Sequence, residues 1–288
     1  MAILDDNRLF PTDPMLRDRA HALYNEVRSF PIISPHGHTD PKWFAKNQAF
    51  RDPAELFVTP DHYVFRMMHS QGIPLEAMGL PRADGGETEQ DPRKIWRLFA
   101  ENFYLFRGTP SRIWIEHALQ QVFGIDMRLS NETSDSVYNQ IAACLPQPAF
   151  CPHSLFERFG IEALSTTESA LDDLRWHKMI RDNNWNGNVV TTYRPDAVVD
   201  PEFDGFANNI ERLGDITDED ATTWTGYLAA HRKRRAFFKT FGATASDHGH
   251  ATARTENLPK DVAARLFDKA LRGQYSAEDA DRFRGHML

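Results

Sequence analysis

The sequence predicts an α/β fold with a parallel sheet, built either as a (β/α)8 barrel or as a doubly wound sheet. Short apolar or β-branched runs alternate with helical segments, which is the pattern of βα units. Polar clusters follow these runs directly, and both folds carry their ligand sites at the carboxyl ends of parallel strands. The length of 288 residues also fits a barrel, which typically needs ~250.

Local signals mark the first helix and the first strand. Asp13 can cap a helix that has Pro14 in its first turn. Apolar side chains then recur on one helical face, namely Leu16, Ala20, Leu23, Tyr24 and Val27. The apolar run 30–34 follows and ends at the polar cluster 36–40. We therefore expect a buried strand that delivers polar residues to its carboxyl end.

Residues 41–155 show helical rather than strand signals. Asp91 and Pro92 provide a cap and a first-turn proline for a helix with an aromatic-rich face. Further helices are predicted over residues 114–122 and 137–145. This long stretch is expected to be a helical insertion after the first strand.

Strands and helices alternate after residue 155. Further strands are predicted at 161–167, 188–193 and 242–246. Helices are predicted near 171–181, in the region up to about 241, and at 260–271 and 277–287, the last capped by Ser276. The expected organisation is a set of βα units at 1–40 and 156–288, interrupted by the insertion at 41–155.

Composition argues against several classes of protein. The formal charge is −8, whereas a non-specific nucleic-acid binder usually has a basic surface. No apolar run approaches the ~20 residues of a membrane span, and the first residues lack the pattern of a secretory signal. The two cysteines, Cys144 and Cys151, are too few for a disulfide framework. We expect a cytoplasmic protein that binds neither nucleic acid nor membrane.

Two His-x-His motifs are candidate metal sites. His36 and His38 follow an apolar run, and residues i and i+2 of a strand point to one face, so two imidazoles could hold one divalent cation. His248 and His250 repeat the spacing after a less apolar run. The alternative for each motif is a pair of hydrogen-bonded loop histidines, and this alternative weighs more for the second motif.

Two further clusters could contact a ligand. Asp61, His62 and Tyr63 are either binding residues or an ordinary helix start with a capping aspartate. Arg194 ends the most β-branched run, and Pro195 disfavours helix there, so the guanidinium is expected in a turn at the strand end. Arginine suits a bidentate grip on a carboxylate, and a surface salt bridge is the alternative.

These pieces, in this order, resemble the uronate isomerases (glucuronate isomerases), a family of the amidohydrolase superfamily. The resemblance is carried by Ile33-Ser34-Pro35-His36-Gly37-His38, Asp61-His62-Tyr63 with Arg66, Trp114, Leu119, Phe123-Gly124-Ile125, Thr166-Thr167, Tyr193-Arg194-Pro195-Asp196 and Ser246-Asp247-His248-Gly249. It runs over nearly the whole chain. It implies a fold of the (β/α)8 TIM-barrel family, of which about the first four βα units and the helical insertion are present.

The resemblance implies aldose–ketose isomerisation of hexuronates by metal-assisted proton transfer between C2 and C1. The substrates would be D-glucuronate, giving D-fructuronate, and D-galacturonate, giving D-tagaturonate. The implied ligands of a divalent metal, expected to be zinc, are His36 and His38. The residues implied to contact the sugar are His62, Tyr63, Arg194, Asp247 and His248, of which the first three are the candidate catalytic residues. Association into a homo-oligomer is left open.

The sequence departs from the family pattern in two respects. The family often shows an acidic pair after Thr-Thr, where this chain has Glu168 and Ser169. The family's third metal ligand, an aspartate after the eighth barrel strand, and the arginine beside it have no counterpart here. We therefore expect an N-terminal fragment with little or no isomerase activity on its own. The alternatives are a metal-dependent hydrolase of the same superfamily and an inactive, non-enzymatic truncated product.

Overall fold

A computed structural model describes residues 4–288 of the chain. Within this range the chain forms three β-strands and fourteen α-helices. The strands are β1 (Ile32–Ser34), β2 (Ile161–Ser169) and β3 (Val189–Arg194). The helices are α1 (Pro14–Val27), α2 (Pro41–Lys46), α3 (Pro53–Phe57), α4 (His62–Ser70), α5 (Pro92–Glu101), α6 (Pro110–His117), α7 (Ser134–Cys144), α8 (Pro152–Arg158), α9 (Arg175–Asp182), α10 (Asp196–Val199), α11 (Phe206–Thr217), α12 (Trp224–Lys239), α13 (Lys260–Leu271) and α14 (Ala277–Met287).

The chain divides into two compact units. The helical unit comprises the residues up to Phe30 together with Asn47–Arg158, and the sheet unit comprises Pro31–Lys46 and Phe159–Leu288. The first contains α1 and α3–α8, and the second contains the three strands and the remaining helices. The division expected from the sequence, with a helical insertion at 41–155, stays a prediction about domain organisation.

The helical unit has an aromatic core around α5. Trp96, Phe99 and Phe103 are buried, as the aromatic-rich face of this helix predicts. The Nε1–H of Trp96 donates to the carbonyl oxygen of Ser134 at 3.0 Å, so the indole is paired as well as buried. Asp91 caps the helix by accepting from the backbone N–H of Arg93.

The sheet unit contains a parallel sheet in the order β1-β2-β3. Thr166 pairs with Thr191, and Glu168 with Tyr193. Helices connect the parallel strands, and this confirms the predicted α/β class of a partial (β/α)8 barrel. The fourth predicted strand is reduced to a single parallel bridge between Tyr193 and Ser246.

The first strand differs from its prediction. The run 30–34 was expected to be a buried strand, but Ile32 is 50% and Ile33 63% exposed. The reason is its place at the edge of the described sheet, where β1 pairs only with β2. The apolar face of α1 is likewise not buried within residues 4–288. An amphipathic pattern predicts which face of a helix or strand packs against other residues, but it does not identify those residues.

The last helices agree closely with the sequence. α13 and α14 have the predicted bounds, and Ser276 and Asp279 form a capping box at the start of α14. The core of this region contains Tyr227, Phe267 and Phe283. Among the helices of the described range, none is long and apolar enough to cross a membrane.

Candidate metal and substrate site

The loop after β1 carries His36 and His38 and is held against β2. The hydroxyl of Ser34, the last residue of β1, donates to the carbonyl oxygen of His36 at 3.3 Å. The Thr167 hydroxyl of β2 donates to the carbonyl oxygen of Gly37 at 3.1 Å. These two bonds fix the turn between the histidines at the carboxyl end of the sheet.

The two imidazoles converge as metal ligands do. The Nε2 atoms of His36 and His38 lie 3.2 Å apart and form a hydrogen bond, so the hydrogen-bonded histidine pair that the sequence offered as an alternative is present. Two nitrogens on a tetrahedral zinc, each at ~2.05 Å, are separated by about 3.3 Å, so the pair fits one divalent cation. The other ring nitrogen of His36, Nδ1, lies 3.6 Å from Oδ1 of Asp247. A carboxylate behind a ligating histidine orients the ring and raises its basicity.

Asp247 connects the histidine pair to Arg194. Its second oxygen, Oδ2, lies 3.3 Å from Nη1 of Arg194. The Nε–H of Arg194 donates to Oδ2 of Asp196 at 2.6 Å, so the guanidinium is paired with two carboxylates. The side chain keeps 32% of its surface exposed. Arg194 therefore forms partly buried ion pairs at the end of β3, and its exposed surface can still bind an anion.

His248 faces Asp196. Its Nδ1 lies 3.9 Å from Oδ1 of that aspartate, and its Nε2 is 3.2 Å from the Ser246 hydroxyl oxygen. Burial, followed by the neighbouring His250, lowers the pKa of His248. This shift favours the neutral imidazole. Both ring nitrogens point at groups of the protein, so the predicted contact of His248 with the sugar stays a prediction.

His62 and Tyr63 begin α4 in the helical unit. Asp61 caps this helix by accepting from the backbone N–H groups of Tyr63 at 2.8 Å and Val64 at 3.3 Å. The capped helix start that the sequence offered as an alternative is thus present. Tyr63 is 55% exposed and packs edge-on against Trp114. The expected contacts of His62 and Tyr63 with the sugar stay predictions.

Glu168 on β2 is a buried carboxylic acid. Glu168 accepts hydrogen bonds from the hydroxyls of Thr166 and Thr191, and its carboxylate is 3.7 Å from Nε2 of His177 on α9. Burial raises the pKa of Glu168 to about 7, although the two hydroxyl bonds oppose the shift. Burial also lowers the pKa of His177 to about 4. Both shifts therefore favour the uncharged forms of the two groups.

Two residues of this region were missed as site residues by the sequence reasoning. Asp196 was quoted only as part of a motif, and His250 was treated mainly as a loop histidine. The structure places ligand atoms of Asp196, His248 and His250 within 4.8 Å of one another. The second His-x-His motif was the signal that could have found them.

Comparison with known proteins identifies the relatives of the chain. A family model described as glucuronate isomerase matches residues 9–288. A uronate isomerase from Rhizobium meliloti is 55% identical over 286 residues, which are 99% of this chain and 61% of the relative. A uronate isomerase from Mesorhizobium japonicum is 54% identical over 288 residues, which are 100% of this chain and 61% of the relative.

Solved structures give the same result. The crystal structure of glucuronate isomerase from Caulobacter crescentus matches with a TM-score of 0.94 and 46% identity, over 99% of this chain and 59% of that one. The uronate isomerase structure from Thermotoga maritima matches with a TM-score of 0.86 and 26% identity, over 100% of this chain and 60% of that one. The chain therefore spans about three fifths of the length of the relatives that it matches.

Proposed function

Because the chain belongs to the glucuronate isomerase family, we propose that its sheet unit contributes the metal and carboxylate-binding part of a hexuronate isomerase. The reaction is the interconversion of D-glucuronate and D-fructuronate, and of D-galacturonate and D-tagaturonate. The observation that carries the proposal is the chain of contacts from the histidine pair His36 and His38 through Asp247 to Arg194.

His36 and His38 hold the divalent metal in this proposal, and zinc is the proposed ion. The 3.2 Å separation of their Nε2 atoms supports this role. A bound divalent metal supplies a Lewis acid that stabilises negative charge developing on a sugar oxygen. Asp247 keeps the His36 ring oriented and, through its other oxygen, sets the position of Arg194.

Charge at the site makes uronate binding depend on the metal. Arg194 carries +1, and Asp196 and Asp247 each carry −1, so these three groups sum to −1 before any cation binds. A carboxylate substrate is repelled by that arrangement. A divalent cation on the histidine pair changes the local sum to +1, which attracts the uronate. Arg194 then has exposed surface with which to bind the substrate carboxylate.

The isomerisation moves protons without net oxidation. The hydrogen on C2 of the aldose leaves as a proton, an enediol forms, and a proton arrives at C1, while a hydroxyl proton moves from O2 to O1. In the proposal His62, Tyr63 and Arg194 act on the substrate during these transfers, since an imidazole and a phenol can carry protons. Asp247 and His248 contact sugar hydroxyls. We also propose that the protein works in the cytoplasm.

Calorimetric titration of two matched sugars tests the proposal. D-Glucuronate and D-glucose differ only in the carboxylate at C6, so their difference in affinity reports recognition of that group. We expect the zinc-loaded chain to bind D-glucuronate at least about tenfold more tightly than D-glucose, a difference of ~1.4 kcal/mol, and to lose this preference without zinc. Binding is measured because it reports recognition of the carboxylate without requiring turnover.

Two arginine variants locate the binding group. Arg194→Gln removes the guanidinium at the site and should abolish the preference for the uronate. Arg272→Gln is the control, because Arg272 forms an exposed ion pair with Asp268 on α13 and its loss should leave the preference unchanged. Equal affinity for the two sugars, or a preference that persists in Arg194→Gln, contradicts the proposal. Cleavage of esters or amides without uronate preference would favour the hydrolase instead.

A further inference from the structure

The sheet unit holds a second cluster of metal-ligating side chains. We propose that Asp196, His248 and His250, called here the Asp196 triad, form a divalent-cation site separate from the His36–His38 pair. One ligand atom from each of the three residues lies within 4.8 Å of the other two. The residues come from the start of α10 and from the segment that follows the bridge at Ser246.

Asp196 has one oxygen committed and one available. Its Oδ2 accepts from the Nε–H of Arg194 at 2.6 Å and from the backbone N–H of Gly249 at 2.9 Å. Its Oδ1 is buried and has no hydrogen-bond partner in the described part of the chain. A buried carboxylate oxygen without a partner is costly, whereas a cation would satisfy it. The two bonds to Oδ2 hold the carboxylate so that Oδ1 faces the histidines.

The His248 ring is oriented in the manner of a metal ligand. Its Nε2 lies 3.2 Å from the Ser246 hydroxyl, and this contact leaves Nδ1 as the nitrogen that faces Asp196, at 3.9 Å from Oδ1. Nδ1 is buried without a hydrogen-bond partner among residues 4–288. Ligating histidines usually have their second nitrogen bound to a polar group, which fixes the ring.

The burial of His250 gives separate support for a cation at the Asp196 triad. Its side chain is only 4% exposed, and its Nε2 lies 3.3 Å from Oδ1 of Asp196. Neither of its ring nitrogens makes a hydrogen bond to any described residue. A histidine this deeply buried normally has at least one nitrogen paired. Its Nε2 faces the carboxylate without forming a hydrogen bond, which points to a ligand shared by the ring and the carboxylate.

The geometry favours zinc or a similar transition metal. Two imidazole nitrogens and one carboxylate oxygen are a ligand set that zinc accepts, with a fourth position left for water. Neighbouring ligand atoms on a tetrahedral zinc are about 3.3 Å apart, and the distances from Asp196 Oδ1 are 3.3 Å to His250 and 3.9 Å to His248. A small inward movement of His248 would complete the site.

A cation in the Asp196 triad would also help to position Arg194. It would bind Oδ1 of Asp196 while Oδ2 keeps its bond to the guanidinium. The carboxylate would then be fixed from both sides. The role of this second metal is structural, and the first metal at His36 and His38 remains the one beside the substrate. Because Nε2 of His248 faces Ser246 and Nδ1 would bind the cation, this site would replace the sugar contact proposed above for His248.

Zinc stoichiometry tests the proposal on the whole chain. After equilibrium dialysis against micromolar Zn2+, we expect two ions per wild-type chain and one in His250→Gln. The double variant His36→Gln/His38→Gln should also hold one. The control His286→Gln should keep two, because the ring nitrogen of His286 is already engaged by the backbone N–H of Leu258 at 3.2 Å. The variant His250→Cys should recover the second ion, since a thiolate also binds zinc.

The possible results separate this site from the proposed function. Two ions in His250→Gln would overturn the inference, and so would a single wild-type ion that only the His36→Gln/His38→Gln variant loses. Two ions in that double variant would instead contradict the metal role of the first pair. Should His250→Gln fail to fold, ring-nitrogen NMR of the wild type decides. Zinc must then shift the signals of both His248 and His250, and unchanged signals from them overturn the inference.

Discussion

Nη1 of Arg194 lies 3.3 Å from Oδ2 of Asp247. The opposite oxygen of this carboxylate lies 3.6 Å from Nδ1 of His36, so one aspartate serves both the arginine and the histidine pair. A change at Asp247 should therefore alter both metal binding and substrate binding.

Asp247→Asn should weaken zinc binding at the histidine pair. The amide keeps the shape of the carboxylate but loses the charge that orients and polarises the His36 ring. We expect zinc affinity to fall by about tenfold to a hundredfold, as measured by competition with a chromophoric chelator. Asp268→Asn, which alters an exposed ion pair with Arg272, is the control. Unchanged affinity in Asp247→Asn would show that the aspartate does not support the metal.

Gly249→Ala should displace the guanidinium of Arg194. A Cβ atom at this position would lie 2.1 Å from Nη2 of Arg194 and 3.1 Å from Oδ2 of Asp196. Because hydrogen bonds to charged groups contribute ~1.5 kcal/mol or more, we expect about a tenfold loss of D-glucuronate affinity. Calorimetric titration measures it, and D-glucose, which lacks the carboxylate, is the control ligand. Full uronate affinity in this variant would mean that Arg194 does not bind the carboxylate.

Glu168→Gln should change how stability depends on pH. The pKa of Glu168 is about 7 in the folded chain against an ordinary value of 4.5, so between these pH values the unfolded chain loses this proton first. Stability is therefore lost as pH rises through this window. The variant lacks this loss, and relative to wild type it should gain up to about 3 kcal/mol in unfolding free energy between pH 4.5 and 7.5.

Urea unfolding at several pH values measures this effect. The lowered pKa of His177 acts in the opposite sense, since its neutral form loses stability as pH falls below 6.5, but His177 is present in both proteins and its contribution largely cancels. Glu162→Gln, at an exposed position of the same strand, is the control. A difference between Glu168→Gln and wild type that stays constant with pH would contradict the raised pKa.

Two variants at the start of α4 separate a substrate role from a structural one. Asp61→Ala removes the cap and should lower stability by about 1 kcal/mol. Tyr63→Phe should leave the free energy of unfolding within about 0.5 kcal/mol of wild type, because the side chain is largely exposed. The phenol is proposed to contact the sugar, so the variant should also reduce the affinity for D-glucuronate. Thermal unfolding and calorimetric titration distinguish the two effects. Unaltered affinity in Tyr63→Phe would remove it from the proposed site.

Features with a local cause were predictable from the sequence. The helices that start after Asp13, Asp91 and Ser276 begin where expected, because a capping side chain and the backbone N–H group that donates to it lie within a few residues of each other. The strand at 188–193 was also predictable, since its β-branched side chains fit a buried sheet.

Features that depend on contacts between residues far apart in the sequence were not predictable. The exposure of β1 follows from its edge position, which the apolar run 30–34 does not encode. The Asp196 triad joins residues 196 and 250, which only the fold brings together. Motifs and family resemblance predict His36, His38, Arg194 and Asp247 as site residues, and their roles stay predictions. The contacts of Asp247 with both His36 and Arg194 were visible only in the structure.

Anomalous diffraction at the zinc absorption edge, from crystals of the chain grown with Zn2+, tests the central claim most directly. The claim is that His36 and His38 hold the metal of a hexuronate-binding site. The account predicts a peak ~2.1 Å from the Nε2 atoms of both residues, with the carboxylate of Asp247 behind the His36 ring. Zinc density elsewhere in the chain, with none between these two nitrogens, would contradict it.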